Sequence, residues 1–127
     1  NARLYPNMFS LTRQIQLACD FSGKACARLA GTEVPSTPDT ETTFEQLQQR
    51  IAKTIEGIKS IPAAKYEGGD TRDITFGTGG NTTQTLPGQK FVNHVALPNF
   101  FFHCTTAYNI LRHNGVVLGK LDFLGAN

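Results

Sequence analysis

No apolar run in the sequence approaches the roughly 20 residues that a membrane-spanning helix needs. The opening Asn1-Ala2-Arg3-Leu4 lacks the charged and apolar regions of a secretory signal. Strong charge of either sign is missing too. Twelve Lys and Arg against ten Asp and Glu leave a formal charge of +2, too small and too dispersed for a nucleic-acid or anionic-membrane footprint. No short basic helix follows a tight glycine turn, so a helix-turn-helix reader of DNA is disfavoured. Cysteine is scarce and odd in number, at three, and no Cys-x-x-Cys spacing offers a redox or metal pair. Cys19 and Cys26 would stand about 10 Å apart along a helix, beyond disulfide reach. Reduced, partly buried thiols in a cytoplasmic protein are expected. An initiator methionine is absent and the chain opens with a short lead into a helix, as expected where an upstream segment has been removed.

With 127 residues, the chain suffices for one domain, 1–127, and one core. Met8, Leu11, Ile15, Ala18, Ser22, Ala25 and Leu29 recur at spacings of three and four, which predicts a helix from near Pro6 or Asn7 to about Ala30. Asn7 is the expected cap and Gly31 the left-handed stop. Two prolines mark Val34 to Asp39 as a linker. A capping box from Thr42 to Glu45 then starts a second helix, with the stripe Phe44, Leu47, Ile51, Ile55 and Ile58, ending before Pro62. Between Tyr66 and Leu86 the period changes to two around Gly77-Thr78-Gly79-Gly80-Asn81, predicting a β-hairpin. That glycine-rich tip lacks the residue order of a phosphate loop. The last helix is expected from about Gly88 to His113, disturbed at Pro98, which lacks a backbone donor. Asn114-Gly115 stops it, and the tail to Phe123 folds back over the bundle.

Helical spacing places Asn99 and His103 one turn apart on one side of the last helix, among Val92, Ala96, Thr106, Ala107 and Ile110. His94 falls nearly opposite His103, and His113 suits the helix C-terminus. On the first helix Gln14 lies beside the stripe and faces the same interior, while Arg13 and Asp20 are expected toward solvent. His103, Asn99 and Gln14 are thus the candidate pocket. A buried imidazole bonded to a neighbour is the structural alternative to a metal ligand. No nucleophile stands beside a base, and Tyr108 reads as a core aromatic.

The segment Asn99 to Gly115 resembles the last helix of the DinB/YfiT-like superfamily, which carries His-x-x-x-His followed by Leu-Arg-x-x-Gly. In register the second histidine falls on His103 and the later motif on Leu111, Arg112 and Gly115; Asn99 stands in place of the first histidine. The order of Ala2-Arg3-Leu4, Met8-Phe9, Leu11-Thr12-Arg13-Gln14, Ala27-Arg28-Leu29-Ala30-Gly31, Ala96-Leu97-Pro98-Asn99, Thr106-Ala107-Tyr108 and Leu111 to Leu124 is similar to an uncharacterised domain-of-unknown-function subfamily of these bundles. The resemblance implies a mainly α fold, an up-down-down-up four-helix bundle with a helix ahead of those visible. Three of the four helices would be present, with a small hairpin before the last. An uncovered apolar face would follow, covered by a longer chain or by a homodimer.

Metal-binding members of the superfamily use three histidines, and some are similar to thiol-dependent transferases. Here His103 is the one candidate metal ligand, Asn99 replaces a second, and the third position falls at Gln14 or a neighbour. A tightly held divalent metal is therefore not expected, and no other cofactor is implied. Two functions remain in competition: a bundle that binds a small molecule or partner near His103 without catalysis, and a thiol-dependent or metal-assisted enzyme that uses His103. A module defined only by its surfaces is a third.

Overall fold

The computed structural model describes residues 1–125. Its first helix, α1, is Leu11–Ala30, starting later than the apolar spacing predicts. Pro6 and Asn7 belong to a short lead in which Arg3 pairs with Ser10 in an isolated antiparallel bridge, and the Leu11 N–H donates to the Ala2 carbonyl at 2.9 Å. Asn7 therefore caps nothing, and Ser10 occupies the cap position without a side-chain bond. At the other end Gly31, at φ 63, closes the helix in the left-handed conformation predicted for it.

Residues 32–43 form an irregular strap leading to α2, Phe44–Lys59. The capping box is displaced one residue from its predicted place: Thr43 Oγ1 accepts from the Gln46 N–H at 3.3 Å, and Gln46 Oε1 accepts from the Thr43 N–H at 3.2 Å. A 3₁₀ turn, Ala63–Tyr66, precedes the hairpin of β1, Asp73–Gly79, and β2, Thr82–Pro87. Register pairs Ile74 with Leu86 and Phe76 with Gln84, and a bulge lies between Gly77 and Gly79. The alternation seen in the sequence is the alternation of faces, since Ile74 and Phe76 are buried while Asp73, Thr75 and Gly77 are exposed.

Backbone of right-handed helical type runs unbroken from Gly88 to His113. It comprises α3, Gly88–Phe91, a wide π-helical turn, Val92–Ala96, and α4, Leu97–His113. The wide turn is the structural response to Pro98, whose missing N–H and ring bulk disfavour the usual bond to the carbonyl four residues back. The Leu97 N–H instead reaches the Val92 carbonyl, five residues back. Gly88 begins this helix because a Cβ there would lie 1.7 Å from the Gly69 carbonyl oxygen. A short α5, Lys120–Leu124, follows, and Phe123 meets Tyr108 edge-on with ring centroids 5.9 Å apart, so the tail does return to the helices.

Apolar packing is divided in two. Ile74 and Phe76 of the hairpin close with Ala25, Phe91 and Ala96 into one cluster, while Leu11, Ala107 and Ile110 form another between α1 and α4. α1 is the central element, packed on α4 most extensively and then on α2, and α2 and α4 barely touch each other. The fold is mainly helical with one small antiparallel hairpin.

Candidate functional site

Gln14 and His103 do meet, in the interior between α1 and α4. α1 and α4 present them to each other, both are buried, and His103 Nδ1 lies 2.7 Å from Gln14 Oε1. The bond defines the proton position. Gln14 Nε2 donates to the Phe9 carbonyl at 3.3 Å, which turns Oε1 toward the ring. A carbonyl oxygen can only accept, so Nδ1 carries the hydrogen. In the neutral ring the Nε2 lone pair is then bare, and no protein group among the described residues is within hydrogen-bond distance of it. Phe21 stacks on the imidazole at 5.6 Å between centroids and Phe102 meets it edge-on at 5.3 Å. Burial, and after it the nearby Arg13 cation, push the His103 pKa below its ordinary value, so the neutral form dominates near pH 7.

Asn99 sits one turn before His103 on the same helix face and is half-buried. Its amide nitrogen donates to the Val95 carbonyl at 2.7 Å, across the junction of the wide turn and α4. No hydrogen bond joins it to His103 among the described residues, and its Oδ1 is left as a second acceptor. His94 and His113 are exposed, as expected from their places on the helix. Among the described residues no three His, Cys, Asp or Glu side chains cluster as a metal would require. The donors around His103 are an amide and aromatic rings, which do not fit a three-histidine metal centre.

A second polar constellation went unread in the sequence. Arg50 of α2 has a side chain only 3% exposed. Its guanidinium holds Asp20 of α1 at 2.8 Å, Asp39 at 3.0 Å and Glu41 at 3.1 Å, with the Pro38 carbonyl at 3.1 Å. Arg13 pairs with Asp39, and Lys24 with Asp20 at 2.7 Å. Asp20 and Arg13, expected toward solvent, thus tie α1 to α2 and the strap. Burial works against the Glu41 charge, but Gln16, the residue's own backbone amide and Arg50 outweigh it and hold the carboxyl below its usual range. The available signal was position: Arg50 lies three residues after buried Leu47, on the packed face of α2.

Two grooves open beside these groups. One, of about 570 Å³, runs between α1, α2 and the strap and is lined by Asp20, Glu41, Arg50 and Thr54. The other, of about 610 Å³, lies between α2 and α4 over α1, with Ile15, Ala18, Ile51, Ile55, Phe101 and Tyr108 along it. Neither is lined by His103, Asn99 or Gln14. Cys19 lines both, and burial pushes its thiol pKa up, against smaller opposing effects of Thr54 and Arg50. Cys104, in the second groove, is pushed up likewise by burial and then by Cys19.

The family profile described as "Domain of unknown function (DUF1993)" matches residues 1–124. The chain belongs to this family. Among solved structures, the crystal structure of a DinB family member protein from Shewanella denitrificans is similar to it with a TM-score of 0.90 and 41% sequence identity. The alignment covers 100% of this chain and 71% of that one. No curated protein matches the chain. This DUF1993 chain is thus DinB-like in fold, as the motif order around Asn99 to Gly115 implied. Among its described residues no helix is long and apolar enough to cross a membrane.

Proposed function

We propose that this DUF1993 domain is a small-molecule-binding bundle in which His103 Nε2 accepts a hydrogen bond from the ligand. The single observation behind this reading is the locked tautomer. Gln14 occupies Nδ1–H, burial favours the neutral ring, and the Nε2 lone pair has no protein partner among the described residues. Asn99 Oδ1 is a second acceptor one turn away on the same helix face. Such a pair suits a ligand rich in donors, an alcohol, amine or amide, rather than an anion. A cytoplasmic setting accords with three unpaired cysteines.

The test is a thermal-shift screen of small hydroxyl- and amine-bearing compounds, followed by imidazole ¹⁵N spectra of the hits. The expected result is a ligand that raises Tm, moves the Nε2 resonance and loses its effect in His103→Gln. Hits that stabilise His103→Gln equally would sink the proposal. The same bare Nε2 favours a second reading, in which it takes the proton from a thiol during group transfer. Elemental analysis of protein purified without a metal-affinity tag bears on its metal-assisted form: stoichiometric metal, lost in His103→Ala, would replace the binding reading.

A further inference from the structure

We infer that the groove beneath the strap is a second ligand site, apart from His103, for a small neutral polyol, a monosaccharide or cyclitol, one of whose oxygens accepts from Arg50 Nε–H. At about 570 Å³ the groove falls in the size range of small-molecule sites. Its walls are fixed. Arg50 Nη1 donates to Glu41 and to the Pro38 carbonyl, and Nη2 to Asp20 with Asp39 beside it. Gln16 Nε2 also donates to Glu41, at 2.9 Å, so the strap is tied to both α1 and α2.

The remaining donor of the same guanidinium points to a ligand. Arg50 Nε–H is buried without an acceptor, the one buried side-chain polar atom in that state among the described residues. Bulk water does not serve it, because the side chain is only 3% exposed. Native proteins rarely leave such a donor unpaired, and an oxygen seated in the groove that Arg50 lines supplies the acceptor.

The lining sets the class of that ligand. Asp20, Glu33 and Glu41 balance Lys24, Arg50 and Lys53, so net charge favours neither an anion nor a cation. Thr37, Thr40 and Gln49 each can donate and accept, the combination that matches hydroxyl groups. Gly23, Ala27 and Pro35 offer small apolar ground for the C–H face of a ring. Gly57, two turns beyond Arg50 on the same face of α2, also lines the groove. A Cβ there would meet nothing within 4 Å, so no packing contact requires glycine, and its effect is to leave the groove open.

Proton–nitrogen spectra of the arginine Nε–H groups, recorded while D-glucose or myo-inositol is titrated to high millimolar concentration, test this. The Arg50 signal is assigned by its loss in Arg50→Lys, which keeps the cation. The expected result is a saturable movement of that signal with one of the two compounds, unchanged in His103→Gln and weakened at least tenfold in Gly57→Leu. The compound that moves it distinguishes a monosaccharide site from a cyclitol site. Leucine at position 57 fills the groove from a helix position where glycine is the poorer helix former, so Tm should hold or rise. No saturable movement with either compound, or a movement that Gly57→Leu leaves intact, would overturn the inference. So would tighter binding of glucose phosphate than of glucose, since the groove would then select an anion.

Discussion

At His103 the folded chain resists protonation, because burial, and then the Arg13 cation, disfavour the imidazolium. The folded pKa lies below the unfolded value of about 6.5. Stability from this residue is therefore complete above that value and is lost as pH falls through the depressed folded pKa. The urea midpoint should decline once the pH drops below about 6.5, and His103→Gln should flatten that decline. Glu41, also held below its ordinary 4.5, contributes in the same direction at lower pH, so the two windows separate. Removing the acceptor is a second test. Gln14→Leu leaves Nδ1–H buried without a partner and should cost about 1–3 kcal/mol in urea unfolding. Imidazole ¹⁵N shifts should then report mixed tautomers. The meeting of Gln14 and His103 was legible because helical spacing alone turns both inward. The bond from Asn99 to Val95 was not, because an amide side chain can satisfy itself on its own backbone, and spacing does not reveal that choice.

Arg50 decides how the strap lies on the helices. Its guanidinium joins α2 to Asp20 of α1 and to Asp39 and Glu41 of residues 32–43. Arg50→Ala strands these carboxylates together and should destabilise the domain by about 3 kcal/mol, the low end for a broken buried pair, because Asp39 is open to solvent. Limited proteolysis of the variant should cut first within residues 32–43. The hairpin, the helix breaks at Gly31 and Asn114-Gly115, and the disturbance at Pro98 all followed from local chemistry. The starts of α1 and α2 did not, because a bridge between Arg3 and Ser10 and a choice between adjacent threonines are settled by contacts that propensities do not contain. Arg50 escaped for a related reason: apolar periodicity marks a buried face without showing that a cation shares it.

Across the molecule, cohesion is uneven. α1 packs on both α2 and α4, whereas α5 rests mainly on the contact of Phe123 with Tyr108. Amide hydrogen exchange should accordingly be slowest in α1 and the middle of α4, near Ile110, and fastest in α5 and its lead. Protection of α5 equal to that of α1 would contradict this order. An uncovered apolar face was implied by the family resemblance, whereas the groove beside the strap could not be read from the sequence, since it depends on how far apart the helices stand, a distance that no single stripe encodes. The wide turn at Val92–Ala96 has a consequence on this scale. The additional residue is absorbed within the turn, so Phe91 stays on the side of Ala96, as a residue four before it would in a regular helix, and both close on Ala25, Ile74 and Phe76. The same five residues wound regularly would swing Phe91 about 100° off that cluster and leave the hairpin without its ring.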